Sequence, residues 1–209
     1  MDELELLKKD WKRQEASLPR INASDIYKMI LKKSSSLTKW ILIIAILEFV
    51  FWITISVAMI DKNYFEHLKS IHFYTINIIL SVIHYGVLLF FIYWFYNNYR
   101  KIKTTDDIKR LMRNILKVRK TVNYYVIYNL AMSFIISVMV FIASVLYDPN
   151  LSKIWSADTS KNIWLIGAII IFILVFLFVL WLFYKLLYGI LLRRLHRNYK
   201  ELNKLELRN

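Results

Sequence analysis

The chain has 209 residues, of which 58% are hydrophobic and 16% aromatic, and it contains only three glycines and two prolines. This composition is typical of helices that are buried on all sides, and it excludes an ordinary soluble domain. The absence of cysteine excludes disulfides, thiolate nucleophiles and thiolate metal ligands. The formal net charge is +14, so the position of the basic residues must decide between nucleic-acid binding and membrane insertion.

Four apolar runs dominate the chain, at residues 40–60, 73–96, 123–147 and 163–184. Each run is long enough to cross a hydrocarbon core of roughly 30 Å as a helix. The last run shows no alternation of apolar and polar residues, which argues against a β-barrel. The sequence therefore predicts an all-α polytopic membrane protein, a bundle of four transmembrane helices with helical cytoplasmic extensions.

The segments outside the apolar runs alternate between many and few basic residues. Of the 29 Lys and Arg, 9 precede the first run, 2 follow it, 9 lie between the second and third runs, 2 lie before the fourth, and 7 come after it. The positive-inside rule then places both termini and the loop 97–122 in the cytoplasm, and the loops 61–72 and 148–162 outside. The charge is thus explained by topology and by attraction of anionic membrane lipid, with no direct nucleic-acid partner. The high content of Ile, Lys, Asn and Tyr favours a low-GC bacterium and its inner membrane.

The first 39 residues form a cytoplasmic, amphipathic arm. Leu4, Leu7 and Trp11 fall on one face of a short helix that Pro19 ends. Such a helix is marginal alone in water and needs a surface, which is the bilayer, the rest of the protein or a partner. A second helix begins at the Ser24-Asp25 capping signal.

Two further cytoplasmic segments are predicted to be helical. The loop 97–122 carries an apolar stripe, and the tail 185–209 carries a stripe with steps of four and three residues. The stripe of the loop consists of Ile108, Leu111, Met112, Ile115 and Val118, and that of the tail of Leu191, Leu195, Asn198, Leu202 and Leu205. His196, in the tail, is expected on a solvated helix face. Tryptophans and tyrosines near the run ends, Tyr125 and Tyr184 among them, are expected in interfacial belts.

Glu48 is the most informative single residue, because a carboxylate within a span costs several kcal/mol unless it is protonated or partnered. Counting helical rise from the inner boundary of each run permits a polar cluster of Glu48, His84 and Ser133, with Asn129 nearer the inner edge. Two interpretations remain open. The cluster is a protonation-linked switch or proton path, or it is a set of hydrogen bonds that hold helices together.

No pattern for catalysis or cofactor binding is present. The chain lacks a nucleophile elbow, a zinc-protease motif and a phosphate-binding glycine loop. His67 and His72 lie just before the second run, at its outer end, but two histidines without further ligands do not specify a metal site. We therefore expect no enzyme, no cofactor and no metal. The small residues Ser133 and Ser137 allow close helix approach, within the bundle or in a homodimer.

Three stretches carry a resemblance that covers essentially the whole chain: DELELLKKDWKRQEASLPRINASDIYKMILKKSSSLTKW, IKRLMRNILKVRKTVNYY and RNYKELNKLE. They resemble a group of four-span membrane proteins of Bacteroidota. Genes of that group often lie beside a gene for an extracytoplasmic-function (ECF) sigma factor. The resemblance implies a membrane anti-sigma factor that sequesters an ECF-type sigma factor at the cytoplasmic face and regulates transcription in response to an envelope signal.

The arm suits such a role because an amphipathic helix can dock in a partner's groove. The candidate partner-binding residues are Leu4, Leu7, Trp11, Arg13, Leu18, Arg20, Ile26, Met29 and Ile30. Two alternatives remain: a membrane scaffold or assembly subunit of an envelope complex, and a small proton-linked transporter.

Overall fold

The computed structural model describes residues 4–5, 7–11, 22–59, 61–105, 107–147 and 159–207. Residues 4–5 and 7–11 are helical, and five further helices follow. They are α1 (Ala23–Ala58), α2 (Lys62–Ser70), α3 (Tyr74–Lys103), α4 (Ile108–Tyr147) and α5 (Thr159–Glu206). No strand occurs within these described ranges. The predicted all-α fold is therefore confirmed.

The four long helices form an antiparallel bundle. α1 packs against α3 and α5, and α4 packs against the same two helices, so the order around the bundle is α1, α3, α4, α5. All four are long and apolar enough to cross a membrane. The chain is thus a multi-pass membrane protein built as a four-helix bundle.

The bundle has two unlike ends. We call the end where α1 begins, α5 ends and α3 turns into α4 the terminal end, and the opposite end, which carries α2, the hairpin end. α5 has 48 residues and α4 has 40, which correspond to about 72 and 60 Å of helix. Both lengths exceed a hydrocarbon core of roughly 30 Å, so a large part of these helices lies outside the membrane.

The core is concentrated in the half of the bundle nearer the terminal end. Buried positions there follow steps of three and four residues on each helix, the spacing at which helices pack as in coiled coils. They include Ile30, Ser34, Leu37, Ile41, Ala45 and Glu48 on α1, Leu88, Phe91, Phe95, Asn98 and Ile102 on α3, Leu111, Ile115, Val118, Val122, Tyr125 and Asn129 on α4, and Tyr184, Tyr188, Leu195, Asn198 and Leu202 on α5.

Buried polar side chains join the helices within this core. Asn98 donates a hydrogen bond to the Thr121 hydroxyl at 3.0 Å and thereby joins α3 to α4. Asn198 donates to the Ser34 hydroxyl at 3.0 Å and joins α5 to α1. Such bonds keep buried polar groups satisfied and fix the register of neighbouring helices.

α1 runs without interruption from outside the apolar run into it. Ser34 and Thr38, which precede the first apolar run, are buried, and the Thr38 hydroxyl donates to the Ser34 carbonyl at 2.9 Å. The Tyr27 hydroxyl donates to the Thr105 carbonyl in the turn between α3 and α4. Residues 23–39 are thus part of the bundle, and an independent arm can extend only over the residues before them.

The hairpin end contains a helix within a segment, 61–72, that was expected to be a loop. α2 ends in a Schellman motif, with the Phe73 amide donating to Leu68 and the His72 amide donating to Lys69. His72 adopts φ 55°, a left-handed conformation that favours glycine, and its ring contacts Tyr147 with a centroid distance of 4.7 Å. Leu68 and Phe73 are buried together, so docking onto α3 and α4 stabilises this short helix.

Candidate functional site

Glu48 lies in a cage of tyrosines between α1 and α5. The Tyr184 hydroxyl donates to Oε1 at 2.5 Å, and the Tyr188 hydroxyl donates to Oε2 at 3.1 Å. The carboxylate is therefore bound at both oxygens, and the residue is only 6% exposed. Hydrogen bonds at both oxygens satisfy this buried polar group, which would be costly to bury without partners.

Tyr125 on α4 closes the cage from the other side. Its ring stands perpendicular to those of Tyr184 and Tyr188, at centroid distances of 6.2 and 5.9 Å. Tyr125 is 2% exposed, so α4 contributes a buried ring beside the two tyrosines that bind Glu48. Side chains from α1, α4 and α5 thus meet around the Glu48 carboxyl group, and their contacts hold these three helices in register.

The level of the cage along the bundle differs from the expectation for Glu48. Tyr184 immediately precedes Lys185, the first charged residue after the apolar run of α5, and the Lys185 ammonium lies 4.4 Å from the Trp181 ring centroid. Glu48 therefore lies level with the residue at which the apolar run of α5 ends. Glu48 is eight residues into the first apolar run, whereas its partner Tyr184 is the last residue of the fourth, so these two runs are offset along the bundle axis.

A cavity of about 430 Å³ lies between the cage and the hairpin end. Every helix contributes to its wall, and Tyr184 belongs to both the cavity and the cage. Among the polar residues of the wall are Ser56, Tyr64, His67, Asn77, Ser81, His84, Tyr85, Asn129 and Ser133. The bundle is thus closely packed near the terminal end and open towards the hairpin end.

The structure divides the predicted polar cluster between these two features. Glu48 is bound by tyrosines, whereas His84, Asn129 and Ser133 line the cavity. Asn129 donates to the Tyr125 carbonyl at 2.9 Å, and the His84 ring stacks on Tyr128 with a centroid distance of 5.7 Å. Tyr184 links the two groups because it faces Glu48 and the cavity together.

The tyrosines of the cage were missed in the sequence because Tyr125 and Tyr184 were assigned to an interfacial belt. They are 2% and 4% exposed, which corrects that assignment. A signal was present in the tail stripe. Continuing its steps of four and three residues backwards from Leu195 reaches residues 191, 188 and 184.

The candidate partner-binding residues have unequal exposure. Leu4, Leu7 and Trp11 are 63%, 69% and 74% exposed, and Met29 is also exposed. Ile26 packs against the core of the bundle, and Ile30 is buried in it, so Ile30, contrary to the prediction, presents no surface to a partner. Arg13, Leu18 and Arg20 lie outside the described residues.

His67 lines the cavity, whereas the His72 ring packs on Tyr147. Within the described part of the chain, no group of three or more His, Asp or Glu is arranged to hold a metal ion. The side chains that line the cavity can therefore bind a molecule through hydrogen bonds and aromatic contacts.

Comparison with known proteins assigns the chain to a family. Residues 24–207 match the family described as Domain of unknown function (DUF8845). The chain belongs to the DUF8845 family. The match to DUF8845 covers the whole bundle, including the tyrosine cage and the cavity, and begins after the exposed apolar residues of the arm. No curated protein and no solved structure matches the chain.

Proposed function

We propose that the protein is a non-enzymatic regulator of the bacterial inner membrane that holds an ECF-type sigma factor at the cytoplasmic face. The observation that carries the proposal is the exposed apolar face of the arm, formed by Leu4, Leu7 and Trp11. The choice of a sigma factor as the partner comes from the resemblance to Bacteroidota proteins. The bundle acts as the membrane anchor, and the arm acts as the recognition element.

The proposed orientation places the terminal end in the cytoplasm. The segments that meet there, before the first run, between the second and third, and after the fourth, contain 25 of the 29 Lys and Arg. The positive-inside rule favours this arrangement. It brings the arm, the turn between α3 and α4 and the end of α5 to the compartment that contains sigma factors.

A protein partner suits the arm better than the bilayer does. The bundle leaves Leu4, Leu7 and Trp11 exposed, so of the three surfaces considered, the rest of the protein is not the one that covers them. The first 15 residues contain five acidic and four basic side chains. Helices that lie on anionic membranes are usually rich in Lys and Arg on the polar face, and this mixed segment lacks that excess.

Co-purification from native membranes tests the proposal. We expect a sigma factor in stoichiometric amount with the wild-type protein and its loss from the double variant Leu7→Ala/Trp11→Ala. Leu207→Ala is the matched control, because Leu207 is an equally exposed apolar residue at the terminal end, 81% exposed. Truncation of a central apolar anchor typically costs 2 kcal/mol or more, roughly a thirtyfold loss of affinity for each residue.

Other outcomes overturn the proposal in distinct ways. Recovery of envelope-machinery subunits in place of a sigma factor supports the scaffold alternative. A sigma factor retained equally by wild type and double variant shows that the arm is not the recognition element. Recovery of neither class contradicts the proposed role.

A further inference from the structure

We propose that the cavity between the tyrosine cage and the hairpin end is a binding site for an uncharged, ring-bearing amphiphile with a carbonyl or hydroxyl head group. The head group binds beside His84 and Asn129, and the ring packs on the aromatic wall. This inference rests on the cavity alone and does not depend on the role proposed for the arm.

The size of the cavity favours a small-molecule ligand. The cavity is partly open to its surroundings, and its volume of about 430 Å³ is larger than the gaps between closely packed side chains. Pockets for small ligands occupy roughly 300–1,000 Å³ and are lined mainly by apolar and aromatic groups with a few polar ones. This cavity has a similar make-up: its surface is mostly apolar, and polar side chains reach it from all five helices α1 to α5.

The lining selects against charge. No Asp, Glu, Lys or Arg is among the described residues that line the cavity. A ligand with a full charge would therefore lose its hydration without gaining an opposite charge in return. The polar groups present are hydroxyl, amide and imidazole, which pair with uncharged donors and acceptors.

His84 indicates where the head group binds. Its Nδ1 atom is buried and has no hydrogen-bond partner within the described structure. A buried polar atom without a partner costs about 1–3 kcal/mol, and a carbonyl or hydroxyl group in the cavity would satisfy it. Asn129 lines the same cavity from α4. Its side-chain nitrogen donates a hydrogen bond to the Tyr125 carbonyl.

The aromatic wall provides the surface for a ring. Trp52, Tyr85, Phe176 and Tyr184 lie around the cavity, and aromatic rings pack favourably on one another in offset or perpendicular contact. Hydrogen bonds within the wall hold it in shape. Ser56 pairs with Tyr85 at 2.8 Å, and Asn77 donates to Tyr64 at 2.9 Å.

A ligand in the cavity would also contact the Glu48 cage. Tyr184 lines the cavity and donates to Glu48, so occupancy of the cavity bears directly on a hydrogen bond that joins α1 to α5. The packed core beyond the cage closes the cavity from the terminal end. Access is therefore from the hairpin end or from the surrounding lipid.

Equilibrium dialysis of the full-length protein in nanodiscs tests the proposal. The probe is 2,3-dimethyl-1,4-naphthoquinone, an uncharged ring with two carbonyls, and protein-free nanodiscs provide the blank. We expect saturable binding of one probe per chain, weakened about tenfold by His84→Phe because one hydrogen bond is lost. Ile83→Ala is the matched control: Ile83 adjoins His84 but is exposed on the outer surface of the bundle, and its replacement should leave binding unchanged.

Two related compounds test the chemistry of the site. We expect 2,3-dimethylnaphthalene, which lacks the carbonyls, and naphthalene-2-sulfonate, which is charged, to bind at least tenfold more weakly. Ser133→Leu, which fills the cavity without replacing His84, should abolish binding and serves if His84→Phe does not fold. Uptake no greater than the blank, equal uptake of dimethylnaphthalene, or unchanged binding to both cavity variants overturns the proposal.

Discussion

At the scale of single residues, the buried carboxyl group of Glu48 joins two helices through hydrogen bonds. Its two oxygens accept hydrogen bonds from Tyr184 and Tyr188, whose hydroxyl groups would otherwise be buried in an apolar core. The carboxylate and the tyrosines therefore satisfy each other. The cost of an intramembrane carboxylate identified the residue from the sequence, but its partners lie 136 and 140 positions away and are known only from the packing.

Two replacements of Glu48 should show how much its hydrogen bonds, rather than its size, contribute to the stability of the protein. Glu48→Leu leaves two buried tyrosine hydroxyls without their acceptor, at a cost of about 1–3 kcal/mol for each. Glu48→Gln keeps one carbonyl oxygen and should destabilise the protein less. Thermal unfolding in detergent measures both effects, and the expected order of melting temperature is wild type, then Gln, then Leu.

The same pair of variants tests a switch. If the ionisation of Glu48 transmits an envelope signal, Glu48→Gln should alter the output of a sigma-dependent reporter while the protein still accumulates normally. Variants that melt like the wild type and leave the reporter unchanged would show that Glu48 neither holds the bundle together nor governs a switch.

At the scale of elements, the contact between α4 and α5 beyond the apolar region couples packing to pH. His196 is partly covered by α4, and its Nδ1 accepts a hydrogen bond from Arg119 at 2.9 Å. Partial burial lowers the pKa of His196 below its ordinary value of 6.5, and the positive charges of Arg119 and Lys200 lower it further. Protonation would place two cations in contact and remove the acceptor.

The sign of the resulting pH dependence follows from this lowered pKa. The folded protein binds fewer protons at His196 than the unfolded chain does, so the contribution is present above pH 6.5 and is lost as the pH falls through the lowered folded value. We expect the melting temperature to fall between pH 7.5 and pH 5 by a larger amount in wild type than in His196→Asn. Asparagine keeps an acceptor near the position of Nδ1 but does not titrate. Equal pH dependence in the two proteins would contradict this assignment.

The elements also show which features a sequence reveals. The stripes around Ile115 and Leu195 are regular because those parts of α4 and α5 pack helix against helix, and periodicity is a direct record of such packing. α2 was missed although Tyr64, Leu68 and Ile71 stand at steps of four and three residues, because nine residues are too few for this pattern to stand out between two long apolar runs. The cavity could not be predicted from the sequence either, because its position depends on the distances between helices.

At the scale of the whole molecule, the bundle is asymmetric along its axis. The half nearer the terminal end contains the main core and the polar links between helices, whereas the other half contains the cavity beneath α2. The number of spans and the all-α fold were predictable because hydrophobic length and charge position are properties of the chain itself. The asymmetry was not predictable, since all four apolar runs are similar in composition.

We propose that the terminal end and its arm face the cytoplasm, while the cavity opens towards the other side. The chain has no cysteine, so single introduced cysteines report their own accessibility. The measurement is labelling of Glu66→Cys, Glu5→Cys and Arg110→Cys by a membrane-impermeant maleimide, in intact spheroplasts and after permeabilisation. We predict that Glu66→Cys, on α2, is labelled in intact spheroplasts and that the other two are labelled only after permeabilisation. Labelling of Glu5→Cys or Arg110→Cys from outside, or protection of Glu66→Cys, would contradict the claim.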